Sequence, residues 1–156
     1  LPLKIYVNGK EYLDGIDLSP TDLYQKMRSE NVDVKTAAPS AGQYYECFKT
    51  ILEQGGREIL CITLSNKLSS DYLSAVNAAN MVQEEFQTAR VIVFDSLAAA
   101  VPQGFFAIEA AHRLRSGDSM ESVVNDLNTS RHRTGLFAAR DTLSYLSQGG
   151  RIGRAA

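Results

Sequence analysis

The sequence is short of cysteine, of net charge and of long apolar runs, and each shortage excludes a class of protein. Only two cysteines occur among the 156 residues, Cys47 and Cys61, and both lie within apolar patterns. This usage fits reduced core thiols in a cytoplasmic protein better than a disulfide framework. A formal net charge of −2 gives no reason to expect binding to nucleic acid or to an anionic membrane surface. No stretch is long and apolar enough for a membrane span or a signal peptide.

Several motifs that carry chemistry are also missing. There is no glycine-rich phosphate loop, no dinucleotide-binding fingerprint and no Gly-x-Ser-x-Gly nucleophile elbow. The two histidines, His112 and His132, have charged neighbours and no second ligand at a usable spacing, so no metal site is predicted. We also expect no catalytic residue and no cofactor. One enzymatic alternative stays open, in which Asp95-Ser96 or Ser65 acts on a small phosphorylated or acylated metabolite as an α/β hydrolase or transferase.

The most informative stretch combines a strand, a turn and a helix. Residues 59–64 form an apolar run of β-favouring residues, and residues 65–69 form a small polar turn. A strand that is buried on both faces and followed by an amphipathic helix is typical of a parallel α/β sheet. The buried side of this helix is expected to consist of Tyr72, Val76, Ala79 and Phe86.

The remaining chain contains further signals of the same class. Asn8-Gly9 predicts a β-hairpin, and Ser19-Pro20 and Ser40 with Gln43 predict helix starts. The other predicted elements are a strand over 90–94, a helix over 97–115 with a late start near Pro102, a helix opening at Ser119, a strand over 136–139 and a helix from 141. The fold class is therefore α/β, with a mainly parallel sheet flanked by helices and an N-terminal β-hairpin. We expect one domain over 1–156, which is a piece of a longer protein.

Hydroxyl groups gather where predicted strands or loops lead into helices. In parallel sheets this edge attracts anions, because free backbone N–H groups and helix dipoles point toward it. Neutral donors with one guanidinium fit a carboxylate or phosphate better than acid–base catalysis. A purely structural alternative stays open for Ser69, which also fits a helix cap. The candidate ligand-binding residues are Thr36, Ser65, Ser69, Ser70, Ser96 and Arg151.

Five short motifs, in order along nearly the whole chain, resemble the DegV family of fatty-acid-binding proteins. They are Pro2-Leu3-Lys4-Ile5 with Asn8-Gly9, Thr36-x-x-Pro39-Ser40, Leu64-Ser65-x-Lys67-Leu68-Ser69, Val93-x-Asp95-Ser96, and Asp141-Thr142-Leu143 leading to Gly149-Gly150-Arg151-Ile152. The resemblance implies a bacterial, cytoplasmic protein of two domains. This chain then supplies most of the first domain, the second is largely absent, and residues 140–156 lead toward it.

The resemblance also implies the function. A DegV protein is the lipid-carrying subunit of fatty acid kinase: it binds a long-chain fatty acid by the carboxylate and presents it to a separate catalytic subunit. It contacts membranes at most transiently. Family headgroup contacts fall on Thr36 and Ser69, with Arg151 as a third, and Thr36 and Ser69 are expected to converge on one site. A ligand-free regulatory relative remains a further alternative.

The chain departs from the family pattern near this headgroup site. Ala37-Ala38 stand where the family has polar residues, and Asp71 stands where it has threonine. A carboxylate at Asp71 gains from the helix dipole but repels a bound fatty acid. We therefore expect Asp71 to point toward solvent, away from the hydroxyl groups.

Overall fold

The computed structural model describes residues 1–29, 32–137, 146–147 and 149–151. The chain forms two compact units, which are treated separately below. The hairpin unit consists of residues 1–39 and the described residues beyond 141, and the layered unit lies within Ser40–Arg140. Across the described ranges, no helix has the length and apolar character needed to cross a membrane.

The hairpin unit is built on a three-stranded antiparallel sheet in the order β2-β1-β3. Asn8 and Gly9 take φ values of 50° and 81°, so the predicted hairpin is confirmed. The third strand was not predicted; it pairs with β1 so that Thr36 lies opposite Ile5. The elements are β1 (Lys4–Val7), β2 (Lys10–Leu13), α1 (Pro20–Ser29) and β3 (Val34–Ala37).

Helix α1 begins where the sequence predicts it. The Ser19 hydroxyl accepts a hydrogen bond from the Asp22 backbone N–H at 3.1 Å, which satisfies a donor that the first turn of the helix leaves free. Leu23 packs against the small core of this unit, formed by Ile5, Val7 and Leu18.

The layered unit places a two-stranded parallel sheet between two pairs of helices. The strand register runs from Glu58 opposite Arg90 to Thr63 opposite Asp95. The capping box of Ser40 and Gln43 is present at the start of its first helix, as predicted. Its elements are α2 (Ala41–Glu53), β4 (Glu58–Thr63), α3 (Asp71–Glu85), β5 (Arg90–Asp95), α4 (Val101–Arg115) and α5 (Met120–Arg131).

Alternate residues of the parallel strands enter two different cores. Ile59 and Cys61 pack with α2 and α3, whereas Leu60 and Ile62 pack with α4 and α5. This follows from the period of two along a strand, which sends successive side chains to opposite faces. Both faces of the sheet are therefore covered by helices. The loops that follow Thr63 and Asp95 lie at its carboxyl edge, which is where a site can form.

The buried stripe of α3 differs from the predicted one by about one residue. The residues expected to be buried, Tyr72, Val76, Ala79 and Phe86, are only half-buried. The stripe that is buried consists of Asp71, Ala75, Ala78 and Val82. Small residues such as Ala75 and Ala78 are favoured on the buried side of α3 because they let the helix pack closely against its neighbours. Larger apolar residues lie at the edges of this side.

Four further expectations concern the fold class and three predicted elements. The α/β class is confirmed, but the described strands form two separate sheets, of which only the β4–β5 pair is parallel. Helix α4 starts late, at Val101, as anticipated. The predicted strand over 136–139 is not formed at Leu136 and Phe137, and its other two residues lie outside the described ranges. Most of the helix predicted from 141 also lies outside them, although residues 146–147 are helical.

Candidate functional site

Asp95 joins the two loops at the carboxyl edge of the parallel sheet. Its Oδ1 accepts hydrogen bonds from the backbone N–H of Asn66 at 3.3 Å and of Leu97 at 3.0 Å. One of these donors belongs to the loop after β4 and the other to the loop after β5. The carboxylate is buried, so these bonds replace water for it. Asp95 therefore organises the backbone of the site.

Ser96 and Ser65 lie beside Asp95 and are almost fully buried, at 1% and 4% exposure. The Ser96 hydroxyl donates to the Ala98 carbonyl and accepts from the Ala98 N–H, both at 3.2 Å. The Ser65 hydroxyl accepts from the Lys67 N–H at 3.3 Å. Burial limits the access of a substrate to both hydroxyls, and the enzymatic alternative stays a hypothesis. Their role as ligand contacts stays a prediction.

Ser69 and Ser70 lie directly before α3 and differ in how they bond to its N-terminus. Ser70 occupies the cap position but makes no capping hydrogen bond with its side chain. The Ser69 hydroxyl instead accepts from the Asp71 N–H at 3.2 Å. This bond uses an acceptor site of the oxygen, so the hydroxyl hydrogen of Ser69 can still be donated to a ligand. Ser69 therefore has a capping role, and that role is compatible with ligand binding.

Asp71 does not point toward solvent, so that expectation was wrong. Its side chain is 6% exposed, and Oδ1 accepts a hydrogen bond from the Tyr44 hydroxyl at 2.7 Å. The donor comes from α2, 27 residues earlier in the chain. A charged hydrogen bond of this kind compensates the loss of hydration that would otherwise keep the carboxylate outside.

The surroundings of Asp71 alter the acidity of two neighbours. Burial, reinforced by the hydrogen bond to Asp71, raises the pKa of Tyr44 well above its usual value. Burial also raises the pKa of the Cys61 thiol to about 12, with a smaller contribution from the Asp71 charge. Both groups therefore stay neutral at physiological pH. Cys61 and Cys47 are free thiols, as the sequence indicated.

In the hairpin unit, Thr36 and Arg151 line the same cleft of about 220 Å³. Thr36 is exposed on β3, and the Arg151 backbone N–H donates to the Leu146 carbonyl at 2.9 Å. The Arg151 guanidinium donates to the Gly149 carbonyl. Apolar side chains form much of the remaining wall, namely Met27, Val32, Val34 and Leu146.

The six predicted site residues thus fall into two groups. Thr36 and Arg151 belong to the hairpin unit and share its cleft. The other four belong to the layered unit, at the carboxyl edge of its sheet: Ser65, Ser69, Ser70 and Ser96. Convergence of Thr36 and Ser69 on a single carboxylate stays a prediction.

Sequence reasoning missed Arg131, which ends α5. Its Nη1 donates to the Asp95 carbonyl at 3.1 Å, and its guanidinium carbon lies 5.5 Å from the centre of the Phe94 ring. This places a cation at the carboxyl end of β5. The only signal in the sequence is a basic residue in the last turn of a helix, where it also fits the helix dipole. Within the described part of the chain, no cluster of three or more His, Cys, Asp or Glu side chains is arranged to hold a metal ion.

The chain is similar in sequence to DegV domain-containing proteins and in fold to solved fatty-acid-binding proteins. A DegV domain-containing protein of Clostridium perfringens is 34% identical over 157 residues, covering 100% of this chain and 53% of the relative. The solved structure of a stearic acid-binding protein from Eubacterium ventriosum matches with a TM-score of 0.85 and 31% identity, covering 99% of this chain and 53% of that one. A fatty-acid-binding DegV protein from Thermus thermophilus matches with a TM-score of 0.83 and 30% identity, over 97% of this chain and 52% of its own.

The fold is also similar to that of a protein named for fatty acid kinase. The Fatty Acid Kinase B3 protein of Streptococcus pneumoniae, loaded with linoleic acid, has a TM-score of 0.74 and 25% identity over 84% of this chain and 45% of its own. The chain spans about half the length of the relatives that it matches. The family model described as "Uncharacterised protein, DegV family" matches residues 1–156. Since that match includes every residue, the chain belongs to the DegV family.

Proposed function

We propose that this chain is the part of a DegV protein that binds the carboxylate of a long-chain fatty acid and presents the acid to a separate kinase subunit. The observation that carries the proposal is the likeness to the stearic acid-binding protein, which covers 99% of the chain at a TM-score of 0.85. The bound acid is the ligand, and no cofactor is required.

Each unit by itself has candidate headgroup contacts. In the hairpin unit, the Arg151 guanidinium supplies charge and the Thr36 hydroxyl supplies a donor within one cleft. In the layered unit, Ser69 has a hydroxyl hydrogen to donate, and Ser70 is exposed beside it. Such groups stabilise a carboxylate through charge-assisted hydrogen bonds. Ser65 and Ser96 are proposed as the floor of the site, where they hold its backbone.

Affinity and orientation come from different parts of the ligand. Burial of an acyl chain contributes about 0.8 kcal/mol per methylene, so a long chain supplies on the order of 10 kcal/mol before the costs of association. The headgroup contacts therefore need only fix which end of the acid is accessible. Presentation to a partner depends on this orientation.

A kinase subunit is proposed as the partner because the chain is similar to the Fatty Acid Kinase B3 protein. Phosphoryl transfer is assigned to the partner, since the Ser65 and Ser96 hydroxyls are buried. Addition of ATP and a fatty acid kinase catalytic subunit should yield acyl phosphate, whereas ATP alone should yield none. Turnover without the kinase would refute this division of roles.

Binding is tested by calorimetric titration of the delipidated full chain with stearic acid and with stearyl alcohol. Arg151→Gln should weaken acid binding about tenfold or more, because it removes a charged donor, and should leave alcohol binding within twofold. Lys35→Gln is the matched control: Lys35 lines the same cleft and changes the net charge equally, but its ammonium group is paired with Asp33 at 2.7 Å. Equal losses from both substitutions would contradict a specific role for Arg151.

A further inference from the structure

The structure assigns Tyr44 and Asp71 to a positioning pair that orients the Ser69 hydroxyl toward the fatty-acid headgroup. This inference rests on the proposed function, because it concerns how one proposed contact is prepared. A buried hydrogen bond of 2.7 Å from the Tyr44 hydroxyl to Asp71 Oδ1 ties α2 to the first residue of α3.

Asp71 is held through its side chain and in turn holds Ser69 through its backbone. The Asp71 N–H donates to the Ser69 hydroxyl oxygen at 3.2 Å. The Tyr44 hydrogen bond restrains Asp71 at the start of α3, and with it the backbone N–H that donates to Ser69. Since the Ser69 oxygen accepts from this N–H, the hydroxyl hydrogen is left to donate to an acceptor other than the Asp71 amide.

A hydroxyl oriented in this way favours a carboxylate. An ionised carboxylate has only acceptor oxygens, so it needs a neighbour that donates. The hydroxyl of a fatty alcohol can donate or accept, and it therefore depends less on how Ser69 is turned. The pair should accordingly contribute to the preference for acid over alcohol, in addition to holding α2 and α3 together.

The adjacent tyrosine provides a matched control. The Tyr45 hydroxyl also donates to a carboxylate of α3, that of Glu85, but Glu85 is the last residue of the helix and lies at the end far from Ser69. Tyr44→Phe and Tyr45→Phe each remove one hydroxyl that joins α2 to α3. Only the first bond can orient Ser69.

The experiment measures affinities of the full chain for stearic acid and stearyl alcohol, and amide hydrogen exchange at position 71 in ligand-free protein. Tyr44→Phe should weaken acid binding on the order of fivefold, leave alcohol binding within twofold and accelerate exchange at the position 71 amide. Tyr45→Phe should change none of the three. Equal loss of acid and alcohol affinity, or unchanged exchange in Tyr44→Phe, would overturn the inference.

Amide exchange separates this inference from the proposed function. If the parent protein binds neither ligand, the proposed function fails, and exchange at position 71 still decides whether the pair orients Ser69. Asp71→Ala removes the acceptor instead of the donor and serves if Tyr44→Phe does not fold. It should accelerate the same amide, and the double variant should accelerate it no further than either single variant. Independent, additive effects would contradict a coupled pair.

Discussion

Replacement of Ser69 by alanine separates a helix cap from a ligand contact. In the free protein, Ser69→Ala removes one acceptor, that of the Asp71 N–H at 3.2 Å. Loss of such a cap costs about 1 kcal/mol. In the complex it also removes a hydrogen bond to a charged carboxylate, which is worth about 1.5–3 kcal/mol. The second loss exceeds the first, so the effect on binding should dominate.

Ser119→Ala controls for the cap alone. The Ser119 hydroxyl accepts from the Ser122 N–H at 3.2 Å, the same separation as at Ser69, but at the start of α5. Without ligand, both variants should melt about 2–4 °C below the parent protein, as expected for a chain of this size. With saturating stearic acid, the ligand-induced rise in Tm should shrink for Ser69→Ala and persist for Ser119→Ala. An equal rise in the two variants would mean that Ser69 is a cap only.

Two further predictions concern Cys61 and Asp95 of the layered unit. Because the pKa of Cys61 is raised to about 12 from 9.0, its neutral thiol stabilises the fold fully below pH 9, and this contribution is lost as the pH rises from 9 toward 12. Cys61→Ala should therefore lessen the fall in unfolding free energy over that window by up to about 1.4 kcal/mol per pH unit, measured by urea denaturation at several pH values; an unchanged slope would refute the assignment. Asp95→Ala should destabilise the protein by on the order of 2–3 kcal/mol in the same assay at neutral pH, because two backbone donors lose their acceptor, and Asp95→Asn, which keeps an oxygen, should lose less than half as much. Equal losses from the two Asp95 variants would show that the charge, rather than the acceptor geometry, organises the loops.

The elements that could be predicted from the sequence are those specified by neighbours in the chain. Asn8-Gly9 permits positive φ within a two-residue turn, and the capping box of Ser40 and Gln43 is completed within four residues. Strand β3 could not be found in this way. Its pairing partner is β1, about thirty residues earlier, and a strand of four residues carries little signal of its own.

Asp71 and Ala75 show why the details of the site were harder to predict. Asp71 was expected to face water because it would repel a bound carboxylate. The Tyr44 donor that holds it inside belongs to another helix and leaves no local signal in the sequence. The stripe was misplaced for a related reason: hydrophobicity favours Tyr72 and Val76, while close helix packing favours the fully buried Ala75 and Ala78. The candidate residues came from hydroxyl groups at strand-to-helix junctions, with motif resemblance supporting three of them. The sharing of one cleft by Thr36 and Arg151 required the structure.

Phe94 and two fully buried alanines lie on opposite faces of the parallel strands, and this contrast helps to fix the register of β5. Phe94 faces the core of α4 and α5, where its ring centre lies 5.8 Å from that of Phe106. The opposite face meets Ala75 and Ala78, which are fully buried. A slip of one residue along β5 would turn the Phe94 ring toward these buried alanines, and we expect it to overpack that core. The size of the Phe94 side chain therefore disfavours a shifted register of β5, although both faces of the sheet are apolar.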